Sequence, residues 1–432
     1  MISIQNLKNV SEKELQKQFF RFGDDFTDIM TNTAIPIATD VKKNGDDAVK
    51  KYTEKFDKIK LDSVIAAKDE IKNGYDVTSA ELIASFSKAI ENIKEFHYHQ
   101  KKENISYTRY NYGNFGLIYQ PIENAGIYVP GGKAAYPSSV MMGVIPAQIA
   151  GVRNITLITP PGSDGRVNNS VCAVCHLLGV ENIIKSGGAQ GIAAAAFGTE
   201  TVKKCNIIVG PGNIFVTAAK SYLFSLGIIQ IDSLAGPSET VIIADKDANP
   251  KWIAYDLLSQ AEHEENAAAV LLTDNAQTAE LVSEEIQKDL NSGCGRHDIK
   301  MKVVQNNLKI YITDSIEEAV DFSNKYAPEH MQMMVANPEK YLSEIKNVGS
   351  LFLGYFSPVA VGDYFSGTNH ILPTGGAARF SSGLSVDTFL RRTTYQMLTE
   401  EGLKQSVKPV SIMSKAEGFE DKHGGSVKIR FE

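Results

Sequence analysis

The chain has 432 residues, of which 43% are hydrophobic and 22% charged, as in an ordinary globular protein of about two to four domains. A formal net charge of -7 without a basic run argues against nucleic acid as a partner, because such proteins neutralise phosphates with clustered lysines and arginines. The longest uncharged stretch, 134–152, contains two prolines, so no membrane span is expected. Four cysteines and a polar N-terminus without an export signal predict a cytoplasmic protein.

The first 110 residues are typical of helices rich in lysine and glutamate. Apolar residues recur at helical spacing over 11–22 and 79–101. We expect these helices to serve as scaffold.

From residue 126 onward, short β-branched runs alternate with helical segments. Strands are predicted at 155–159, 182–185 and 206–209, and in a second series at 241–244, 269–273, 310–313 and 350–353. This alternation is typical of parallel sheets with crossover helices and predicts an α/β fold with two Rossmann-like domains. Residues 384–432 are more polar and predict a small helical appendage that ends in a strand over 426–431.

Three glycine turns follow predicted strands, at 128–132, 186–190 and 210–213. Turns at the ends of parallel strands commonly surround one ligand crevice. The third turn lacks the last glycine of the G-x-G-x-x-G motif, where Phe215 stands, but a glycine turn before a helix can still hold a pyrophosphate.

Cys172, Cys175 and His176 match the C-x-x-C-H pattern of covalent haem attachment. Haem attachment requires export, and the surrounding residues are typical of a helix interior. We therefore expect packed thiols rather than a haem site.

Two segments carry candidate metal ligands. A helix that begins near Asn249 and Pro250 places Gln260 and His263 three residues apart on one face, where they could share an ion or form a hydrogen-bonded surface pair. The glycine-containing segment 362–370, which we expect to be a loop, carries Asp363, which could reach a pocket or simply cap a turn.

Glu329 and His330 are the candidate acid–base pair. Pro328 halts the predicted helix 317–326 and leaves both side chains just before an apolar run. Both groups are competent general bases, and two bases beside one carbon suit a two-stage oxidation. The alternative is a charge pair at a helix end without chemistry.

Together these segments resemble the histidinol dehydrogenase family along nearly the whole chain. The stretches that carry the resemblance are 126–132, 187–190, 210–216, 235–239, 257–263, 327–330, 362–374 and 417–423. The resemblance implies a homodimer with shared active sites and one zinc ion per subunit. Its zinc ligands would be Gln260, His263 and Asp363 of one subunit and His423 of the other.

The resemblance also implies an NAD-dependent four-electron oxidation of L-histidinol to L-histidine through a retained aldehyde, at the end of histidine biosynthesis. His330 would be the base toward the alcohol and Glu329 the base toward water. The implied NAD contacts are Tyr128, Gln190 and Asn213. The implied substrate contacts are Ser238, Gln260, His263, His330, Asp363, Glu417 and His423. The role of His370 stays open.

We divide the chain accordingly into four parts. Residues 1–25 form an N-terminal helical segment, and 26–127 with 239–383 form a discontinuous first α/β domain. Residues 128–238 form the second α/β domain on the NAD side, and 384–432 form an appendage that reaches the partner subunit.

Two features depart from the family pattern. Glu417 and His423 are six residues apart rather than five, which leaves Glu420 as a competitor for the substrate contact. Glu264 and Glu265 follow His263 where a pair ending in proline is common. The alternatives are a paralogue of the same fold that oxidises a different small alcohol, a zinc hydrolase in which Glu329 activates water, and a non-catalytic zinc-binding scaffold.

Overall fold

The computed structural model describes residues 2–19, 26–131, 135–234 and 236–432. Its strands are β1 (Ile4–Asn6), β2 (Ile105–Arg109), β3 (Gly113–Pro121), β4 (Asn124–Tyr128), β5 (Asn154–Thr159), β6 (Asn182–Lys185), β7 (Ile207–Val209), β8 (Gln230–Ile231), β9 (Glu239–Ala244), β10 (Ala268–Thr273), β11 (Leu308–Ile312), β12 (His330–Met334), β13 (Ser350–Leu353) and β14 (Leu390–Leu398). The predicted helix end at 20–22, Gly132 and Ala235 lie outside the described residues.

The α-helices are α1 (Glu12–Phe19), α2 (Phe26–Ile29), α3 (Ile35–Asp57), α4 (Lys68–Val77), α5 (Ala80–Tyr98), α6 (Pro137–Ala150), α7 (Asn169–Leu178), α8 (Gly188–Phe197), α9 (Ile214–Ser225), α10 (Pro250–Ala261), α11 (Ala276–Ser292), α12 (His297–Asn306), α13 (Ile316–Tyr326), α14 (Val359–Tyr364), α15 (Glu400–Ala416) and α16 (Gly425–Lys428). Among the described residues, no helix combines the length and the apolar composition that crossing a bilayer requires.

A parallel six-stranded sheet has the order β1-β11-β10-β9-β12-β13. In its centre, Val241 lies opposite Val270 on one side and Met331 on the other. The central strands are nearly continuous apolar runs because both faces are covered, by α10 and α11 on one face and by α13 on the other. The short edge strand β1 was not predicted.

A second parallel sheet has the order β6-β5-β4-β7-β8. Ile127 and its neighbours on one face pack with α5, α6 and α7, whereas Ile158 and Ile184 on the other face pack with α3, α8 and α9. The predicted strands and the predicted α/β class are confirmed in both sheets.

The N-terminal helices pack differently from the predicted division of the chain. Helices α3 to α5 contribute to the cores of the five-stranded sheet, although residues 26–127 were grouped with 239–383. The predicted boundary at 127/128 also falls within β4. An apolar helical stripe shows that a helix is buried, but it does not show which sheet buries it.

The C-terminal region pairs with residues 105–121 in an antiparallel sheet of order β14-β3-β2. The predicted strand at 426–431 is wrong, because these residues continue from α16 into a short 3-10 helix. Val427, Ile429 and Phe431 alternate with polar residues as in a strand. A strand needs a neighbouring edge for its backbone groups, however, whereas a helical turn satisfies them locally.

The two cysteines of the C-x-x-C-H pattern are buried within α7. Both thiols are free and pack in the core beside the five-stranded sheet. The prediction of packed thiols is confirmed.

Candidate active site

Glu329 and His330 lie at the amino end of β12. Helix α13 ends at Tyr326, as predicted, and Ala327 adopts a left-handed conformation with φ 53°. Pro328 cannot continue the helix, so the chain turns and enters the sheet at His330. Glu329 is 6% and His330 5% exposed, which places both groups in a nearly dry environment.

The imidazole of His330 lies between two carboxylates. Its Nδ1 is 3.6 Å from Glu329 Oε2, and its Nε2 is 3.7 Å from Asp363 Oδ1. Both distances exceed that of a direct hydrogen bond. The backbone N–H of Glu239 donates to Glu329 Oε2 at 3.0 Å and orients that carboxyl group.

Burial raises the pKa of Glu329 to about 7, because a carboxylate is poorly stabilised away from water. Burial alone would lower the pKa of His330, but the neighbouring carboxylates of Glu329 and Asp363 raise it to about 9. Both pKa values therefore lie within about two units of neutral pH, so each group can exchange a proton, as acid–base groups must.

Asp363 reaches His330 from α14. The segment 362–370 was expected to be a loop, but its first residues belong to this short helix. A Cβ on Gly362 would lie 2.5 Å from the ring of Phe352, so glycine allows α14 to approach β13 closely. Burial opposes ionisation of Asp363, but the imidazoles of His330, His370 and His263 outweigh it and lower the pKa of the carboxyl group.

Gln260 and His263 lie at the C-terminal end of α10, which begins at Pro250 with Asn249 as its cap, as predicted. Gln260 is 4% exposed, and its buried Nε2 has no hydrogen-bond partner among the described residues. His263 is exposed and interacts electrostatically with Asp363 and His330. The structure therefore brings His263, Asp363 and His330 together, and Gln260 lies three residues before His263 at the same helix end.

The described residues of one chain contain no group of three His, Cys, Asp or Glu side chains that could hold a metal ion. The expected ligand set includes the amide of Gln260 and a histidine from the partner. Of the three ligands that one chain would contribute to its own site, only His263 and Asp363 belong to these four residue types.

Ser238 and Glu239 lie beside the pair. Ser238 directly precedes β9, and its N–H donates to Glu264 Oε1 at 3.3 Å. Glu239 is 1% exposed and raises the pKa of Glu329 through its charge. Glu239 was not among the predicted site residues, although a carboxylate at the start of an otherwise apolar strand could have indicated it.

His370 supports Asp363 through the backbone. Its Nδ1 is 2.9 Å from the carbonyl oxygen of Asp363, which can only accept, so Nδ1 carries the proton. Its Nε2 then accepts from the hydroxyl of Ser139 at 3.1 Å. His370 is thus a positioning residue that ties α14 to α6.

Glu417 and His423 lie apart from this cluster. Both are exposed, in the segment that follows α15. The ring of His423 is 6.3 Å from that of Phe419, and the N–H of Glu417 donates within α15. The competitor Glu420 faces Lys415 at 4.0 Å. Within one chain, the hydrogen bonds and ring contacts described for these residues stay inside the C-terminal segment.

A cavity of about 850 Å³ lies at the carboxyl end of the five-stranded sheet. Residues of all three glycine turns line it, as predicted, and Tyr128, Gln190 and Asn213 are among them. The hydroxyl of Tyr128 accepts from the N–H of Gly188 at 3.3 Å. Burial raises the pKa of Tyr128 to about 12, so the hydroxyl remains neutral.

A buried ion pair holds the third turn. Gly210 has φ 116°, and a Cβ there would lie 2.1 Å from the carbonyl oxygen of Tyr128. Lys220 Nζ donates to Gly210 O at 3.0 Å and lies 2.5 Å from Asp232 Oδ1. The other oxygen of Asp232 accepts from Gly210 N at 2.8 Å. Asn213 caps the following helix, α9.

Comparisons with known proteins agree on one family. The family profile described as histidinol dehydrogenase matches residues 23–431. A histidinol dehydrogenase of Leptospira biflexa is 46% identical over 421 residues, covering 97% of this chain and 96% of that protein. One of Bacillus subtilis is 43% identical over 404 residues, covering 94% of each.

A crystal structure of histidinol dehydrogenase from Elizabethkingia anophelis superposes with a TM-score of 0.92 at 39% identity, covering 99% of this chain and 97% of that one. Sequence and fold therefore match over essentially the full length. The chain belongs to the histidinol dehydrogenase family.

Proposed function

We propose that this protein oxidises L-histidinol to L-histidine, with NAD as hydride acceptor and one zinc ion per subunit. The observation that carries the proposal is the buried acid–base cluster of Glu329, His330 and Asp363 at one edge of the six-stranded sheet. Family membership supports histidinol as the substrate.

The reaction needs two proton acceptors beside one carbon. In the first step the alcohol loses a hydride and its hydroxyl proton, and His330 takes that proton. Water then adds to the aldehyde, with Glu329 as the base, and a second hydride leaves to give the carboxylate. The adjacent positions of Glu329 and His330 allow both groups to act on a substrate that stays in place.

The donor set fits a zinc ion. Gln260 is buried, and its amide oxygen can serve as a metal ligand, while His263 interacts electrostatically with Asp363. Gln260, His263 and Asp363 would hold the ion together with the partner subunit's His423. When bound, zinc would anchor the imidazole and amino nitrogens of histidinol, since imidazole is a good zinc ligand. Ser238 and Glu417 would add substrate contacts.

The cavity beside the five-stranded sheet fits a dinucleotide. Its volume of about 850 Å³ is within the range of small-molecule sites. Tyr128, Gln190 and Asn213 line it, and α8 and α9 begin there, so their N-terminal N–H groups favour a pyrophosphate. NAD bound there would accept the hydride in each step.

The proposal is tested by counting NADH against histidine. Purified protein is incubated with L-histidinol and NAD, and both products are quantified before and after stripping with a chelator. We expect two NADH per histidine, loss of turnover on stripping, and recovery with zinc. A ratio near one, equal turnover with other short polyols, or full activity of demonstrably stripped protein would contradict the proposal.

The proposed shared site is tested by subunit mixing. A His330→Asn chain and a His423→Ala chain are each expected to be inactive as homodimers. Refolded together, they form heterodimers in which the intact His330 meets the partner subunit's intact His423, so activity returns. No recovery in mixtures whose heterodimers are verified by mass spectrometry would contradict the shared site.

A further inference from the structure

Asp57 lines the same cavity as Tyr128 and Gln190. Among the described lining residues it is the single carboxylate, and none is a lysine, arginine or histidine. The charge of Asp57 adds to the effect of burial in raising the pKa of Tyr128, so the two side chains lie near one another. The cavity therefore carries one uncompensated negative charge in its described wall.

The negative charge of Asp57 is poorly stabilised by the protein around it. It is the last residue of α3, where the exposed carbonyl groups of the helix repel a carboxylate. Its Oδ2 is buried and has no hydrogen-bond partner among the described residues. The neighbouring Lys58 does not compensate it, since that ammonium donates to the carbonyl of Lys55. Burial raises the pKa of Asp57 accordingly.

We propose that Asp57 binds the hydroxyl groups of the adenosine ribose of the dinucleotide and thereby excludes dinucleotides that carry a 2′-phosphate. This inference rests on the proposed use of NAD. A ribose offers two neighbouring hydroxyl donors, which match a carboxylate whose Oδ2 has no hydrogen-bond partner among the described residues. A 2′-phosphate would meet a negative charge in a cavity whose described wall offers no cation.

The faces of the five-stranded sheet indicate which half of the dinucleotide reaches Asp57. The acid–base cluster is tied through His370 and Ser139 to α6, which packs on one face. Helix α3, which ends at Asp57, packs on the opposite face. The nicotinamide must approach the reacting carbon, so the adenosine half is the one that extends toward α3.

Two exposed aromatic rings support this placement. Phe56, which precedes Asp57, and Phe215 both line the cavity and remain 47% and 41% exposed. Rings of this kind offer a stacking surface for adenine. The base and its ribose would then be bound by neighbouring residues of one chain segment.

The test compares NAD with NADP at saturating histidinol in wild type, Asp57→Asn and a control, Asp62→Asn. Asp62 is exposed and does not line the cavity. For Asp57→Asn we expect kcat/KM with NAD to fall about tenfold, since hydrogen bonds to a charged group are worth roughly that factor. With NADP we expect kcat/KM to rise by about the same factor, because the negative charge that meets the 2′-phosphate is removed. The control should retain the wild-type preference, and kcat at saturating NAD should change little in both variants.

A binding measurement separates this inference from the proposed function. ADP-ribose and its 2′-phosphorylated form are titrated calorimetrically into zinc-loaded wild type and Asp57→Asn without histidinol. We expect wild type to prefer ADP-ribose and the variant to lose that preference. If wild type oxidises histidinol with NAD but the variant keeps the preference, only the role of Asp57 is overturned. If wild type neither binds NAD nor oxidises histidinol, both proposals fail.

Discussion

The two parallel sheets place their candidate site residues at opposite edges. In the five-stranded sheet, Tyr128 ends β4, and the glycine turns follow β6 and β7, so the cavity lies at the carboxyl edge. In the six-stranded sheet, Glu239 begins β9 and His330 begins β12, so the acid–base cluster lies at the amino edge. Ligands of open α/β sheets usually bind at the carboxyl edge, which only the first sheet follows.

Helix polarity explains the difference. At the carboxyl edge α8 and α9 begin, and their N–H groups favour an anion such as a pyrophosphate. At the amino edge α10 and α13 end, and their carbonyl groups favour a cation such as a metal ion or an imidazolium. The carboxyl edge of the first sheet thus favours anionic ligands, and the amino edge of the second favours cationic groups.

The largest effect on turnover is expected from substitutions at the amino edge of the six-stranded sheet. We expect Glu329→Gln and His330→Asn each to lower kcat by about 10²–10⁴-fold, because each removes a proton acceptor. The KM for NAD should change little, since the cavity lies on the other sheet. Steady-state kinetics check this, with His99→Asn as a control at an exposed position. A loss of kcat under tenfold in either variant would contradict the assignment.

The second prediction concerns the carboxyl edge. Lys220→Met leaves Asp232 buried without its cation, which we expect to lower the free energy of unfolding by about 3–5 kcal/mol. The turn at Gly210 also loses a contact, so the KM for NAD should rise more than kcat falls. Urea unfolding and NAD titration measure both effects. Unchanged stability, or a loss confined to kcat, would show that the pair does not hold the turn.

The smallest expected effect concerns the stability contribution of Asp57 in the cavity wall. Folding raises the pKa of Asp57, so the ionised form destabilises the folded state at neutral pH, and this penalty disappears as pH falls below the ordinary carboxyl range. Asp57→Asn should therefore be more stable than wild type by up to about 1 kcal/mol at pH 7, with no difference near pH 3. Thermal unfolding at both pH values checks this. A destabilised variant at pH 7 would mean that Asp57 supports the fold.

Much of the site could be predicted from local sequence. Pro328 after an amphipathic helix correctly located the entry of Glu329 and His330 into β12. Asp363 was singled out as a candidate ligand from the sequence, but its short helix was not foreseen, because six residues leave too little periodicity. Asp57 was missed because the end of a lysine-rich helix looks like a solvated surface until another segment covers it.

Local sequence patterns were thus sufficient to predict the order of strands and helices, the glycine turns at strand ends and the termini of α10 and α13. These features follow from apolar periodicity, proline and glycine, which act over a few neighbouring residues. The packing of α3 on the five-stranded sheet, and the proximity of His263 and Asp363 to His330, became apparent only in the folded chain. Burial and charge interactions join segments distant along the chain, so no local pattern encodes them.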